Sequence, residues 1–259
     1  MSRFTFRYYP QPLSPEQIEM EKKIFKYSLF VPIIFLLIIW LIKLAEITFD
    51  TSFHELGMFP RNLKGIAGIL FSPLLHGSFK HLIGNSSTFL VLGTALFFFY
   101  RNLAMRIFLL NYFMSGIFLW LGGREVWHIG ASGIIYGLTA FLFLSGILRN
   151  DVRLLTISLI VTFLYGSFFW GLFPTEEGIS WDGHLMGALS GTMLALAYYK
   201  QGPPRKKYEW ENDEDEDDEE TSNITDYQNI TNENLIENSK SRIDQPSPIS
   251  DKIDIFKLD

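Results

Sequence analysis

"HGSFKHLIGNSSTFLVLG", residues 76–93, sets two histidines and an asparagine at the mouth of a strongly apolar run. Polar side chains are costly in hydrocarbon unless something meets them there, so three so close together call for a purpose. The run is one of six, since apolar stretches lie near 28–49, 82–100, 104–121, 132–148, 154–173 and 185–199. About 20 apolar residues cross a hydrocarbon core of ~30 Å as a helix, and none of the six alternates as a barrel strand does. The expected fold is an all-α polytopic membrane protein with six transmembrane helices.

The whole chain supports that class. Of its 259 residues 48% are hydrophobic, although the last sixty are very polar. Residues 1–200 carry 15 Lys+Arg against 11 Asp+Glu, whereas 201–259 carry 7 against 17. Three parts follow: a cytoplasmic N-terminal segment (1–27), a six-helix domain (28–200) and an acidic tail (201–259). The tail runs through "EWENDEDEDDEE" into a Ser/Asn/Thr-rich stretch with few aromatics, a composition that cannot bury a core and is expected to be disordered. Its N-I-T sequons at Asn223 and Asn229 read as chance in an Asn-rich tail. "SPEQ" at 14–17 reads as an N-cap serine, a first-turn proline and a capping-box glutamine. A helix is expected to start there and run into the first span, and no small-residue cleavage site marks a signal peptide. With no cysteine there is no disulfide and no thiol nucleophile. Neither a metal nor a cofactor is called for, and nothing points to nucleic acid.

Orientation follows from the short loops. Lys22, Lys23 and Lys26 precede the first span, Arg101 and Arg106 follow the second, Arg149 and Arg153 the fourth, and Lys200, Arg205, Lys206 and Lys207 the sixth. The positive-inside rule makes all of these cytoplasmic, with both termini. The opposite side holds a weaker, mixed set, and there "GIAGILF" in the long 50–80 loop is apolar enough to lie in the interface.

Depth singles out three residues. Ser132 lies 17 residues before Arg149, His184 16 before Lys200 and Asn85 16 before Arg101. At ~1.5 Å per residue each is about 24–26 Å from the inner boundary, a little short of the outer edge. Helix-packing polar groups have no reason to share one depth, but a site reached from the outer face requires it. His81 and Asn85, four apart, project from one helical face. Ser132 sits in "GASG" between Gly130 and Gly133 at the start of a helix, where backbone N–H groups are exposed. His184 is followed on its face by Gly187, Ala188, Gly191 and Ala195, while Gly133, Gly137 and Ala140 thin the serine helix. Such stripes let two backbones approach closely.

In combination these motifs resemble the rhomboid family of intramembrane serine proteases: H-G-S-F-K-H-x-x-x-N at 76–85, G-x-S-G at 130–133 with Tyr136 one turn on, and a histidine followed by small residues at 184–191. The resemblance covers roughly 28–200. It implies a rhomboid-like bundle with Ser132 as nucleophile, His184 as general base, and His81, Asn85 and the Ser132 amide as the oxyanion hole. It also implies Tyr136 packed on the histidine ring and His76 supporting the first loop. The Trp-Arg pair common in that loop is replaced by "GMFPRNLKG" at 57–65.

The chemistry agrees. A serine hydroxyl needs a base, which a neutral imidazole supplies near neutral pH, and the oxyanion needs aimed donors. Asp182 and Glu125 are the acidic candidates for a third member, but Asp182 leaves a different helix face, so a Ser-His dyad is expected. The substrates implied are single-span transmembrane proteins cut near the outer face, in the lipid bilayer of a bacterial inner membrane. A non-catalytic relative that binds transmembrane segments would not need both Ser132 and His184, and a transporter would place its polar groups near the midplane.

Overall fold

Ser14 opens the first helix by accepting a hydrogen bond from the Gln17 amide at 3.2 Å, while the Gln17 side chain accepts from the Ser14 amide at 2.9 Å. The capping box legible in "SPEQ" is thus formed. In the computed structural model, which describes residues 14–149, 151–164, 170–174 and 180–202, this helix is α1 (Pro15–Ser28). It passes through Leu29 into α2 (Phe30–Thr48), so that Pro15–Thr48 is a 34-residue helical run whose apolar part is α2. The acidic tail beyond residue 202, the sequons and the first 13 residues lie outside the described residues.

Short turns at His54–Leu56, Leu63–Gly65 and Ser72–Leu74, with the one-turn helix α3 (Gly68–Phe71), shape the loop that follows α2. Leu63, Ile66, Leu70 and Phe71 in it are exposed, as expected of an apolar loop resting in the interface. Helices α4 (Phe79–Phe99), α5 (Ala104–Gly122), α6 (Ser132–Leu148), α7 (Val152–Leu164) and α8 (Trp181–Tyr198) complete the fold. Among the described residues there is no strand, only a bridge between Met58 and His128.

One boundary moved from its expected place, and another is only partly described. Of the fifth apolar stretch, expected over 154–173, a helix is described over Val152–Leu164 and a 3₁₀ turn over Trp170–Leu172, and the residues between them lie outside the described ones. Helix α8 starts a full turn before its apolar stretch, because "WDGH" is polar yet helical, and this puts His184 in the first turn.

The core is apolar, as in a water-soluble bundle, but the outer faces are apolar too. On α5, Met105, Leu109, Phe113, Ile117 and Leu121 recur every fourth residue and are all exposed, while Asn111 and Ser115 are buried. On α2, Ile33, Leu37, Leu41 and Leu44 face outward, and on α8 Leu185, Leu189, Met193 and Leu196 do. Lipid tails accept such faces at no cost, whereas polar groups must find partners inside. Among the described residues three helices, Pro15–Thr48, α4 and α5, are long and apolar enough to cross a membrane, and α6 is a shorter apolar helix beside them. The chain is an integral membrane protein.

Candidate active site

The site is made where α6 and α8 cross. A Cβ added to Gly187 would overlap the Gly133 carbonyl oxygen, and one added to Gly191 would overlap that of Gly137. No side chain fits between the helices, so their backbones touch. Beside this crossing Asn111 from α5 donates to the Ile134 carbonyl at 2.9 Å and accepts from Ser190 at 3.0 Å, tying three helices with one buried amide.

Ser132 is the first residue of α6, and its Oγ lies 2.9 Å from Nε2 of His184, 52 residues away in sequence. Nδ1 of the same ring lies 2.8 Å from the Gly171 carbonyl. A carbonyl only accepts, so Nδ1 carries the hydrogen and Nε2 presents its lone pair to the serine. Tyr136, one turn below Ser132, lies flat against the imidazole with ring centroids 4.1 Å apart and planes 9° from parallel. The Gly171 position has no room for a side chain, because a Cβ there would run into the Tyr136 hydroxyl.

The α4 residues come to the other side of the serine through Gly130. This glycine has φ +115, a conformation open to glycine but strained for other residues. A Cβ on it would lie 2.8 Å from His81 Nε2 and 3.5 Å from Asn85 Nδ2, so both nitrogens converge on one point two residues before Ser132. Asn85 Nδ2 also lies 2.9 Å from His76 Nε2, and the His76 ring meets the His81 ring edge-on at 5.1 Å. His76 is buried beneath the pair, and burial, reinforced by the neighbouring His81, pushes its imidazole down to about 3. A neutral ring at Nε2 accepts the Asn85 amide and holds it in place.

Asp182 takes no part in this set. Its carboxylate accepts from the Arg124 amide at 2.8 Å and meets the Arg124 guanidinium at 3.3 Å. Glu125 pairs with Arg61 at 3.1 Å on the surface. Arg61 also donates to the Gly123 carbonyl at 2.8 Å, so "GMFPRNLKG" fastens the first loop to the end of α5. The sequence reading missed His128, Asn111 and the Gly171 carbonyl. His128 sits in a loop with no periodicity to mark it, and a backbone carbonyl has no residue type to read.

Comparison with known proteins agrees with this architecture. The Rhomboid domain matches residues 64–201. Uncharacterized proteins of Mycobacterium tuberculosis and Mycobacterium bovis are each 33% identical over 189 residues, 66% of this chain and 75% of theirs. One from Mycobacterium leprae is 31% identical over 182 residues, 66% of this chain and 71% of its own. With the match covering more than half of its length, the chain belongs to the rhomboid family, whose members are intramembrane serine proteases acting on transmembrane substrates.

Proposed function

We propose that the protein is a serine endopeptidase that cleaves single-span transmembrane proteins near the outer membrane face with a Ser132–His184 dyad. The observation that carries this reading is the 2.9 Å contact between Ser132 Oγ and His184 Nε2, across a crossing too tight for any side chain. Six spans are proposed, formed by α2, α4, α5, α6, α7 with the segment after it, and α8. Both termini are cytoplasmic, the membrane is a bacterial inner membrane, and residues 201–259 form a disordered acidic tail outside the 28–200 catalytic domain.

In the reaction Ser132 Oγ attacks the substrate carbonyl carbon as His184 Nε2 takes its proton. The Nδ1–H bond to the Gly171 carbonyl orients the ring and disperses the charge of the imidazolium. The oxyanion forms in the space flanked by His81 Nε2, Asn85 Nδ2 and the amide of Ser132. Collapse breaks the C–N bond, the leaving amine takes the proton from His184, and water then hydrolyses the acyl-serine with the same base. Asp182, spent on Arg124, leaves the pair as a dyad rather than a triad.

The test is labelling of the detergent-solubilised protein with a fluorophosphonate probe, followed by intact-mass mapping. Attachment to Ser132 is expected. A protein that cleaves a transmembrane substrate yet labels elsewhere would sink the assignment of Ser132, and one that neither labels nor cleaves would favour a binding role.

A further inference from the structure

Beside the dyad, four polar residues from two stretches of the chain, 124–128 and 180–182, form a second cluster, and two of them, His128 and Ser180, line one cavity with Ser132. His128 is 3% exposed and Asp182 2%. His128 Nε2 lies 3.0 Å from the Arg124 carbonyl, which only accepts, so this nitrogen carries a hydrogen. Its Nδ1 lies 2.7 Å from Ser180 Oγ, which in the neutral ring donates to it. Asp182 lies 3.6 Å from His128 Nε2 and takes the Arg124 amide at 2.8 Å and its guanidinium at 3.3 Å. The backbone of His128 is itself fixed, exchanging hydrogen bonds of 2.9 and 2.8 Å with Met58.

We propose that Arg124, His128, Ser180 and Asp182 are positioning residues that set the Ser132–His184 separation. The proposal rests on the reading of those two as the reacting pair. His128 stands four residues before Ser132, with Gly130 locked between them, and Asp182 stands two before His184. Each end of the cluster is therefore one short, rigid step from one partner of the dyad. Residues two apart on a helix leave it about 200° apart, so Asp182 faces away from His184 and acts through the backbone of α8. Tying the serine loop and the first turn of α8 to the same Arg124 leaves neither free to slide. The α6–α8 crossing fixes how closely the two helices approach, and this cluster fixes where along α8 the imidazole stands relative to the hydroxyl.

The geometry asks for a slowed reaction at unchanged substrate binding. The full-length protein in detergent is labelled at Ser132 with a fluorophosphonate, and kcat and KM are measured on a fluorogenic transmembrane substrate, for the parent and for Asp182→Asn, His128→Gln, Ser180→Ala and Ser180→Thr. A displacement of order 1 Å costs ~10²-fold in rate. Asp182→Asn and His128→Gln are accordingly expected to lower both the labelling rate and kcat by about that factor, with KM and folded fraction held. Ser180→Ala removes one link and should slow labelling by about tenfold, and Ser180→Thr, which keeps the hydroxyl, should recover most of that loss. The Ser180 pair decides the matter if the buried-charge variants do not fold. Parental labelling rates in Ser180→Ala and in every folded variant would overturn the proposal, as would rates that fall only in step with folded protein. A parent that never labels overturns instead the protease reading beneath it.

Discussion

Asn85 is shared between two duties, holding His76 from its side-chain nitrogen and facing the point where a Gly130 side chain would stand. Asn85→Ala is therefore expected to leave weak activity, since His81 and the backbone amide still donate, with a loss of ~10²–10³-fold in kcat. Ser132→Ala and His184→Ala should each abolish cleavage while leaving the melting temperature near the parent. The double variant should be no worse than either, because the two act as one unit; steady-state rates on one transmembrane substrate check all three. His76 gives a pH signature outside catalysis. Its imidazole takes a proton only near 3 in the folded protein, against 6.5 ordinarily, so the unfolded chain binds more protons between those values. Stability contributed by keeping it neutral is intact above 6.5 and is lost as pH falls toward 3. Melting curves from pH 8 to pH 4.5 should decline less steeply in His76→Gln than in the parent.

At the scale of the helix pair, the Gly187–Gly133 and Gly191–Gly137 contacts set how hard a substitution bites. A single methyl at Gly187 already overlaps a backbone carbonyl, not a flexible side-chain tip. Both Gly187→Ala and Gly187→Val should thus separate the helices, the second more than the first, with rates down ~10²-fold for a shift of about 1 Å. Cleavage rate and melting temperature measured side by side check it, and a parental rate in Gly187→Ala would mean that α8 can rotate away freely. This crossing was legible because small residues at helical spacing mark a face wherever it lies. The serine and histidine were legible because depth follows from counting residues along a helix. The pairing of His128 with Asp182 was not, since it joins a loop to a helix start, 54 positions apart, and no period connects them.

At the scale of the molecule, the described helices carry apolar residues on their outward faces as well as in the core, and the proposed topology follows from where the basic loops fall. Cysteines placed singly at Ser2, Lys64 and Ser239 of this cysteine-free chain can be probed in intact cells with an impermeant maleimide. Only the Lys64 position should react, and labelling at either terminus would contradict the six-span arrangement. Removing residues 208–259 should leave cleavage in detergent near the parental rate, which a purified truncated protein can show directly. The contact of α6 with α8 has a further consequence, for how such a protein can diverge. Positions where backbone meets backbone have no side-chain volume to exchange, so a saturation scan should find Gly187 and Gly191 closed to every other amino acid. The outward stripe of Met105, Leu109, Phe113, Ile117 and Leu121 should accept almost any apolar residue. Drift in this chain is then free on the surface that meets lipid and barred at the seam.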